Sequence, residues 1–167
     1  KIDGVPMDLF HTLEHDATVE PLTFESAEGR EVYRHSSTHI MAQAVKEVFP
    51  TAQLTIGPAL EDGFYYDFAF DRPFTPEDLE KIEARAIEIT KRGLSVSRSE
   101  LSKEEAIKFF QDRGEAYKVE LINSFEDGSP ISLYRQGEFV DLCRGPHLPS
   151  TGYVGAFKLL STGGAYW

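Results

Sequence analysis

The sequence predicts an α+β fold in which an antiparallel sheet carries helices packed on one side. Three observations lead there. Stretches with strand alternation and stretches with helical periodicity follow one another in the order strand, helix, strand, strand, helix, strand, helix, strands. Two of the helices open on a capping signal and close on a glycine. The last third of the chain reads as a hairpin running into a Gly-Pro loop.

Taken in order, residues 1 to 24 hold short extended pieces around the turn dipeptide Asp3-Gly4, then a strand from Thr18 to Phe24. They are too few to bury a core of their own. Ser26-Ala27-Glu28-Gly29 reads as a boundary. From about Glu31 to Phe49, Ala44, Val48, Met41, Val45, Phe49 and Ala42 share one arc of a helix that stops before Pro50, with His35 and His39 at its edge. Gln53 to Pro58 and Gly63 to Phe70 follow as strands, the second with an aromatic face built from Phe64, Tyr66, Phe68 and Phe70.

Thr75-Pro76-Glu77-Asp78 starts a helix with a Thr cap, a first-turn proline and first-turn acids, and Gly93 ends it. Leu94 to Arg98 alternates as a strand, and Ser102-Lys103-Glu104-Glu105 is a capping box opening a short helix that ends at Gly114. Tyr117 to Ile122 alternates again and reads as a strand, with Lys118 on the face opposite Tyr117, Val119 and Leu121. Ile131 to Arg135 and Phe139 to Leu142 form the hairpin pair, and Ala156 to Leu160 is a last strand. The ending at Tyr166-Trp167, with no helical cap or polar tail, is expected of a piece of a longer protein.

Composition narrows the function classes. With 41% hydrophobic and 12% aromatic residues the chain can bury a core, which sets it apart from disordered sequences. No apolar run reaches the roughly 18 residues of a membrane-spanning helix, and there is no basic-then-apolar leader, so a cytoplasmic protein without membrane contact is expected. The 28 acids against 17 bases give a net charge of −11, which repels phosphate at long range. Any contact with nucleic acid must then be local, or shared with other domains.

Chemistry concentrates in two places. Arg34-His35-Ser36-Ser37-Thr38-His39 sets two imidazoles one helical turn apart, and Asp141-Leu142-Cys143-Arg144-Gly145-Pro146-His147 adds the only thiol and a third imidazole on a loop. His35, His39, Cys143 and His147 match the ligand preferences of zinc, which would turn a bound water into a hydroxide. Without a metal the same groups are bases working near neutral pH, hydrogen-bond donors and a thiol. Spacing alone leaves both open. The glutamate of an HExxH protease helix is missing, which disfavours peptide hydrolysis of that type. Asp141 could orient a histidine or bind an amine.

These two stretches, together with Ile56-Gly57-Pro58, Gly63-Phe64-Tyr65-Tyr66-Asp67 and Tyr117-Lys118-Val119, resemble the editing domain of bacterial-type threonyl-tRNA synthetases. The resemblance runs in order from about residue 25 to 167. Residues 1 to 24 resemble the end of the β-grasp TGS domain that precedes editing in that family. The class II core, which uses ATP and Mg and carries its own Zn, would lie beyond Trp167.

The resemblance implies a hydrolase that removes serine from mischarged seryl-tRNA(Thr) at the 3′-terminal aminoacyl ester, while the full-length protein attaches threonine. It implies His35 and Lys118 as catalytic groups, His39, Cys143 and His147 as the wall of the seryl pocket, Asp141 as the holder of the substrate amine, and Tyr66 beside the adenosine. It also implies no bound metal, in contrast with the related alanyl-type domains, and a homodimer formed through the absent core. An alternative of the same chemistry is a free-standing zinc-dependent aminoacyl-tRNA deacylase, and one of a different class is a non-catalytic tRNA-binding module.

Overall fold

The computed structural model describes residues 1–167. The expected α+β class with antiparallel sheets holds: four helices pack with three small sheets, none closed into a barrel. Helix α1 (Ala27–Val48) starts at the expected boundary, where the Ser26 hydroxyl accepts from the Gly29 amide at 3.0 Å. Its middle, Ser36 to Val45, is buried residue after residue. An amphipathic arc on a surface helix does not behave so; α1 is a central helix with protein on more than one side.

Four two-residue strands follow: β1 (Gln53–Leu54), β2 (Ala59–Leu60), β3 (Gly63–Phe64) and β4 (Phe68–Ala69). β1 pairs with β4 and β2 with β3, all antiparallel. The expected aromatic strand from Gly63 to Phe70 is thus split between two sheets. Between its halves the Tyr66 ring stacks on Phe68 at 4.7 Å, and Tyr66 is buried.

Helix α2 (Pro76–Arg92) forms as its signals require. Thr75 and Asp78 make a reciprocal capping box, and Gly93 closes the helix in the left-handed conformation at φ 59°. β5 (Val96–Leu101) leads into α3 (Lys103–Gln111), whose Ser102–Glu105 capping box is also complete. β6 (Ile131–Gln136) and β7 (Phe139–Leu142) form the expected hairpin, turned by Gly137 at φ 60°, and with β5 they make a three-stranded antiparallel sheet.

Three expected strands do not form, the first being Thr18 to Phe24, where only Val19 makes a single bridge to Ile2. Tyr117 to Ile122 lies in a helix, α4 (Ala116–Asn123), with Lys118 and Ile122 both buried. These two are four residues apart, and Val119 and Ile122 are three apart, so the segment also satisfies helical spacing, and packing against α3 decides the outcome. Ala156 to Leu160 joins no sheet. It is tied to α2 instead: Glu83 accepts from the Leu159 amide at 2.9 Å and from Lys158 Nζ at 3.0 Å.

The sheet divides the interior in two. Ile131, Leu133 and Val140 pack with Ala106, Phe110 and Ile122 under α3 and α4. On the other face Phe139 joins the larger core with Ile40, Val45, Ile82 and Ile89 of α1 and α2, and Gln136 Nε2 donates to Gln43 Oε1 at 2.9 Å. Helices therefore cover both faces of this sheet, and Asp141, which alternates with Val140, lies on the α1 face.

Residues 1 to 24 add little regular structure. Ile2 bridges Val5 and Val19 around the Asp3-Gly4 turn, and both turn residues take positive φ. Asp8 reaches across the fold, with consequences for the site.

Candidate functional site

Helix α1 and the loop after β7 bring His35, His39, Cys143 and His147 together, with their ligating atoms all within 4.8 Å of one another. One turn of helix separates the two α1 rings, whose centroids lie 5.6 Å apart. The His147 ring completes the group at 4.5 Å from His35 and 4.2 Å from His39. Cys143 Sγ sits 3.0 Å from His147 Nε2 and 3.3 Å from His35 Nε2. His35 is half-buried, whereas His39 is shut away from water and not at the half-exposed edge that the helical arc suggests.

The hydrogen-bond inventory fixes one tautomer. The single hydrogen of the Ser36 hydroxyl goes to the Val32 carbonyl at 2.8 Å, and the same oxygen accepts from the Leu148 amide at 2.9 Å. Its remaining neighbour, His147 Nδ1 at 3.3 Å, must therefore be the donor. That leaves His147 Nε2 as the acceptor facing Cys143.

A second cluster adjoins the first. Asp141 Oδ1 lies 2.7 Å from Lys118 Nζ, and Asp141 Oδ2 accepts from the Tyr66 hydroxyl at 2.6 Å. His39 Nε2 is 3.6 Å from Oδ2, beyond hydrogen-bond length. Lys118, which strand alternation sets opposite Tyr117, Val119 and Leu121, is 3% exposed and Asp141 is 1% exposed. Asp141 is thus already engaged by two partners, and a substrate amine could reach it only by displacing one of them.

A cavity of about 720 Å³ opens onto both clusters, walled by His35, His39, Tyr66, Lys118, Asp141 and Cys143. His147 stands behind Cys143. Tyr66 reaches this wall because Gly57 lets it pass; a Cβ at Gly57 would fall 2.1 Å from the tyrosine ring.

Burial sets the electrostatics. It lowers the pKa of His35, against the opposing pull of Asp141 and Glu31, and it holds His39 and His147 well below the ordinary imidazole value. Neighbouring charges on the other rings, and on Lys118 beside His39, push the same way. All three imidazoles are neutral at pH 7. Burial also raises the Cys143 thiol to about 12, with Asp141 adding to the effect, and keeps the Tyr66 phenol protonated.

The donor set fits a tetrahedral ion such as zinc. Bond lengths of about 2.0–2.3 Å separate tetrahedral donors by roughly 3.3–3.7 Å; here the thiol lies 3.0 and 3.3 Å from two imidazole nitrogens, and all four donors fall within 4.8 Å. Neutral imidazoles are the form that binds metal. An ion held by all four groups, however, would have no open position for water, which is the arrangement of a structural site.

Four partners of the site carry no mark in the sequence. Asp8 accepts from the His147 amide at 2.9 Å and from the Tyr134 hydroxyl at 2.7 Å, and the Tyr134 ring lies 4.4 Å from His147. Ser36 orients His147, and Glu115 holds the start of α4 to β1. These bonds span 61 to 139 residues, so no local pattern announces them.

Residues 131–165 match the domain family described as "Threonyl and Alanyl tRNA synthetase second additional domain". Over all 167 residues the chain is 58% identical to "Threonine--tRNA ligase" of Acidithiobacillus ferrooxidans and 59% identical to that of Symbiobacterium thermophilum. Over 166 residues it is 57% identical to the Carboxydothermus hydrogenoformans protein of the same name. In each case the chain spans only 26% of the relative's length.

Proposed function

We infer that this chain, similar along its whole length to threonine--tRNA ligases, is their editing module and hydrolyses seryl-tRNA(Thr) at the 3′-terminal ester. The observation that carries the reading is the single cavity walled by a neutral imidazole, His35, and a buried ammonium, Lys118. Ester hydrolysis needs a base for water and a donor for the oxyanion, and these two groups are of those kinds.

In the proposed reaction His35 takes a proton from water as the water oxygen bonds to the ester carbonyl carbon. Lys118 donates to the developing oxyanion. Collapse breaks the bond to the ribose oxygen, which receives the proton, releasing serine and the free tRNA end; the neighbouring ribose hydroxyl lies close to the ester. Asp141 holds Lys118 and Tyr66 in place, and the substrate amine approaches this carboxylate as its partners adjust. His39, Cys143 and His147 shape the seryl pocket, and Tyr66 stands beside the adenosine. One methyl is worth only about 1–3 kcal/mol in a binding pocket, too little for accurate charging without a second sieve; in this second site threonine is rejected because its extra methyl has no room.

In this proposal residues 1 to 24 end a TGS-like domain and 25 to 167 form the editing domain of a cytoplasmic enzyme. The remainder of that enzyme would charge tRNA(Thr) with threonine using ATP and would dimerise. No helix described here is long and apolar enough to cross a membrane. The module meets only the acceptor end, which accommodates a net charge of −11.

A second reading, a zinc-dependent deacylase, is favoured by the convergence of four ligand atoms within 4.8 Å. An ion held by three of His35, His39, Cys143 and His147, with its fourth position left to water, would supply Lewis-acid activation of that water; the steps above use the side chains alone. Separate His35→Ala and Lys118→Met variants test the proposal against seryl-tRNA(Thr). Each should lose at least about a hundredfold in rate while remaining folded; parent-like rates in both would remove these residues from the mechanism.

A further inference from the structure

Lys118 depends on a helix that cannot hold itself in place. α4 has only the eight residues Ala116 to Asn123, and its N-cap residue Glu115 makes no side-chain cap. Isolated helices this short are not stable in water, so outside contacts must fix the position of α4.

Glu115 supplies them by turning its carboxylate away from α4. The residue is 3% exposed. Its Oε2 accepts from the Leu54 amide in β1 at 2.8 Å, and its Oε1 lies 2.6 Å from Lys46 Nζ. Lys46 also donates to the carbonyls of Pro50 at 3.0 Å and Ala52 at 2.8 Å, so all three of its ammonium hydrogens have acceptors. The Ala116 amide adds a bond to Gln53 Oε1 at 3.3 Å.

These contacts close a circuit. Lys46 follows His39 by seven residues on α1, about two turns along the same face. His39 faces Asp141, Asp141 holds Lys118, Lys118 follows Glu115 by three residues, and Glu115 returns to Lys46. α4 is therefore held to α1 at two points, one inside the site and one outside it. The outer point lines a separate cavity of about 370 Å³ that shares no wall residue with the larger one, so neither Lys46 nor Glu115 touches the proposed substrate.

We propose that the Lys46–Glu115 ion pair is a clamp that positions Lys118 against Asp141 and the α1 histidines. The proposal rests on the reading of Lys118 as a group acting in ester hydrolysis. Both partners are positioning residues. Their signature should be a loss of turnover that passes through Lys118 and leaves substrate binding alone.

Glu115→Gln is the informative variant. It has the same shape, keeps an acceptor for the Leu54 amide and removes the charge, and the Lys46 side chain, 25% exposed, can turn to water. Deacylation of seryl-tRNA(Thr) should show kcat reduced about tenfold with KM within about twofold. Lys46→Met, which breaks the pair from its wetter side, should do the same, and Lys46→Arg should stay within about twofold of the parent. In a Lys118→Ala background, adding Glu115→Gln should change the rate by less than about twofold, because the route is already cut. Losses that multiply would overturn the clamp.

A second readout needs no activity. A buried, paired ammonium exchanges slowly, so 15N-labelled lysine should give a resolved Lys118 NH3⁺ signal, assigned by its loss in Lys118→Met. That signal should broaden or vanish in Glu115→Gln and in Lys46→Met. An unchanged signal in both would overturn the clamp. If the parent chain leaves seryl-tRNA(Thr) intact, the editing reading falls, and the ammonium signal alone decides whether Lys46–Glu115 sets the position of Lys118.

Discussion

Lys118 Nζ lies 2.7 Å from Asp141 Oδ1 with both side chains shut away from water. The pair forms because α4 turns a lysine inward where β7 turns an aspartate toward α1. Breaking such a pair from one side strands a charge. Lys118→Met should cost about 3–5 kcal/mol in urea unfolding, and Lys118→Met with Asp141→Asn should recover a large part of it. If the double variant is no more stable than the single one, the pair is not electrostatically coupled.

Stability should pass through a maximum between near-neutral and mildly alkaline pH. His39 and His147 are held well below the ordinary 6.5 in the fold, so the unfolded chain binds protons first as pH falls. Their contribution is complete above 6.5 and is lost progressively below it. The Cys143 thiol is raised from 9.0 to about 12. Its contribution is present below 9.0 and is lost as pH rises from there towards 12. Chemical denaturation from pH 5 to 10 (a range of about five units) should show both flanks, and His147→Asn should flatten the acid one.

Gly145 permits the approach on which the cysteine loop depends. Its φ is 73°, and a Cβ there would lie 1.8 Å from the Tyr134 hydroxyl oxygen. Gly145→Ala should therefore cost about 1–3 kcal/mol in backbone strain and displace Cys143 and His147. The proposed deacylation should fall at least about tenfold. A variant with parent activity and stability would show that the loop geometry tolerates a side chain.

Scaffold and site should separate under mutation. Thr75 caps α2, away from the cavity wall, and Thr75→Ala should lower stability by about 1 kcal/mol without changing the deacylation rate. Phe110 is fully buried between α3 and the sheet, and Phe110→Ala should cost about 3–5 kcal/mol. Thermal and urea unfolding check both.

Helices α2 and α3 were legible in the sequence because their start and stop signals are local: Thr75 with Asp78, Ser102 with Glu105, and Gly93. The β6–β7 hairpin was legible for the same reason. Helix α4 was not, because Tyr117, Val119 and Leu121 alternate as a strand would, and only its packing beside α3 selects the helix. Ala156 to Leu160 has strand composition but meets a helix in place of a sheet edge. In the site, His35, His39, Cys143 and His147 could be singled out by residue type and spacing, but Lys118 and Tyr66 gained meaning only from resemblance. Asp8, Ser36, Tyr134 and Glu115 carried no signal, since their roles are hydrogen bonds or ion pairs to residues 61 to 139 positions away.

The most direct measurement compares hydrolysis of seryl-tRNA(Thr) and threonyl-tRNA(Thr) by this chain, with and without a zinc chelator and with the metal content determined. An editing site working through His35 and Lys118 cleaves the seryl ester, spares the threonyl ester and ignores the chelator. Equal rates on the two esters, or none on either, would contradict editing, and seryl cleavage lost on chelation would transfer the chemistry to a metal at the histidine and cysteine cluster.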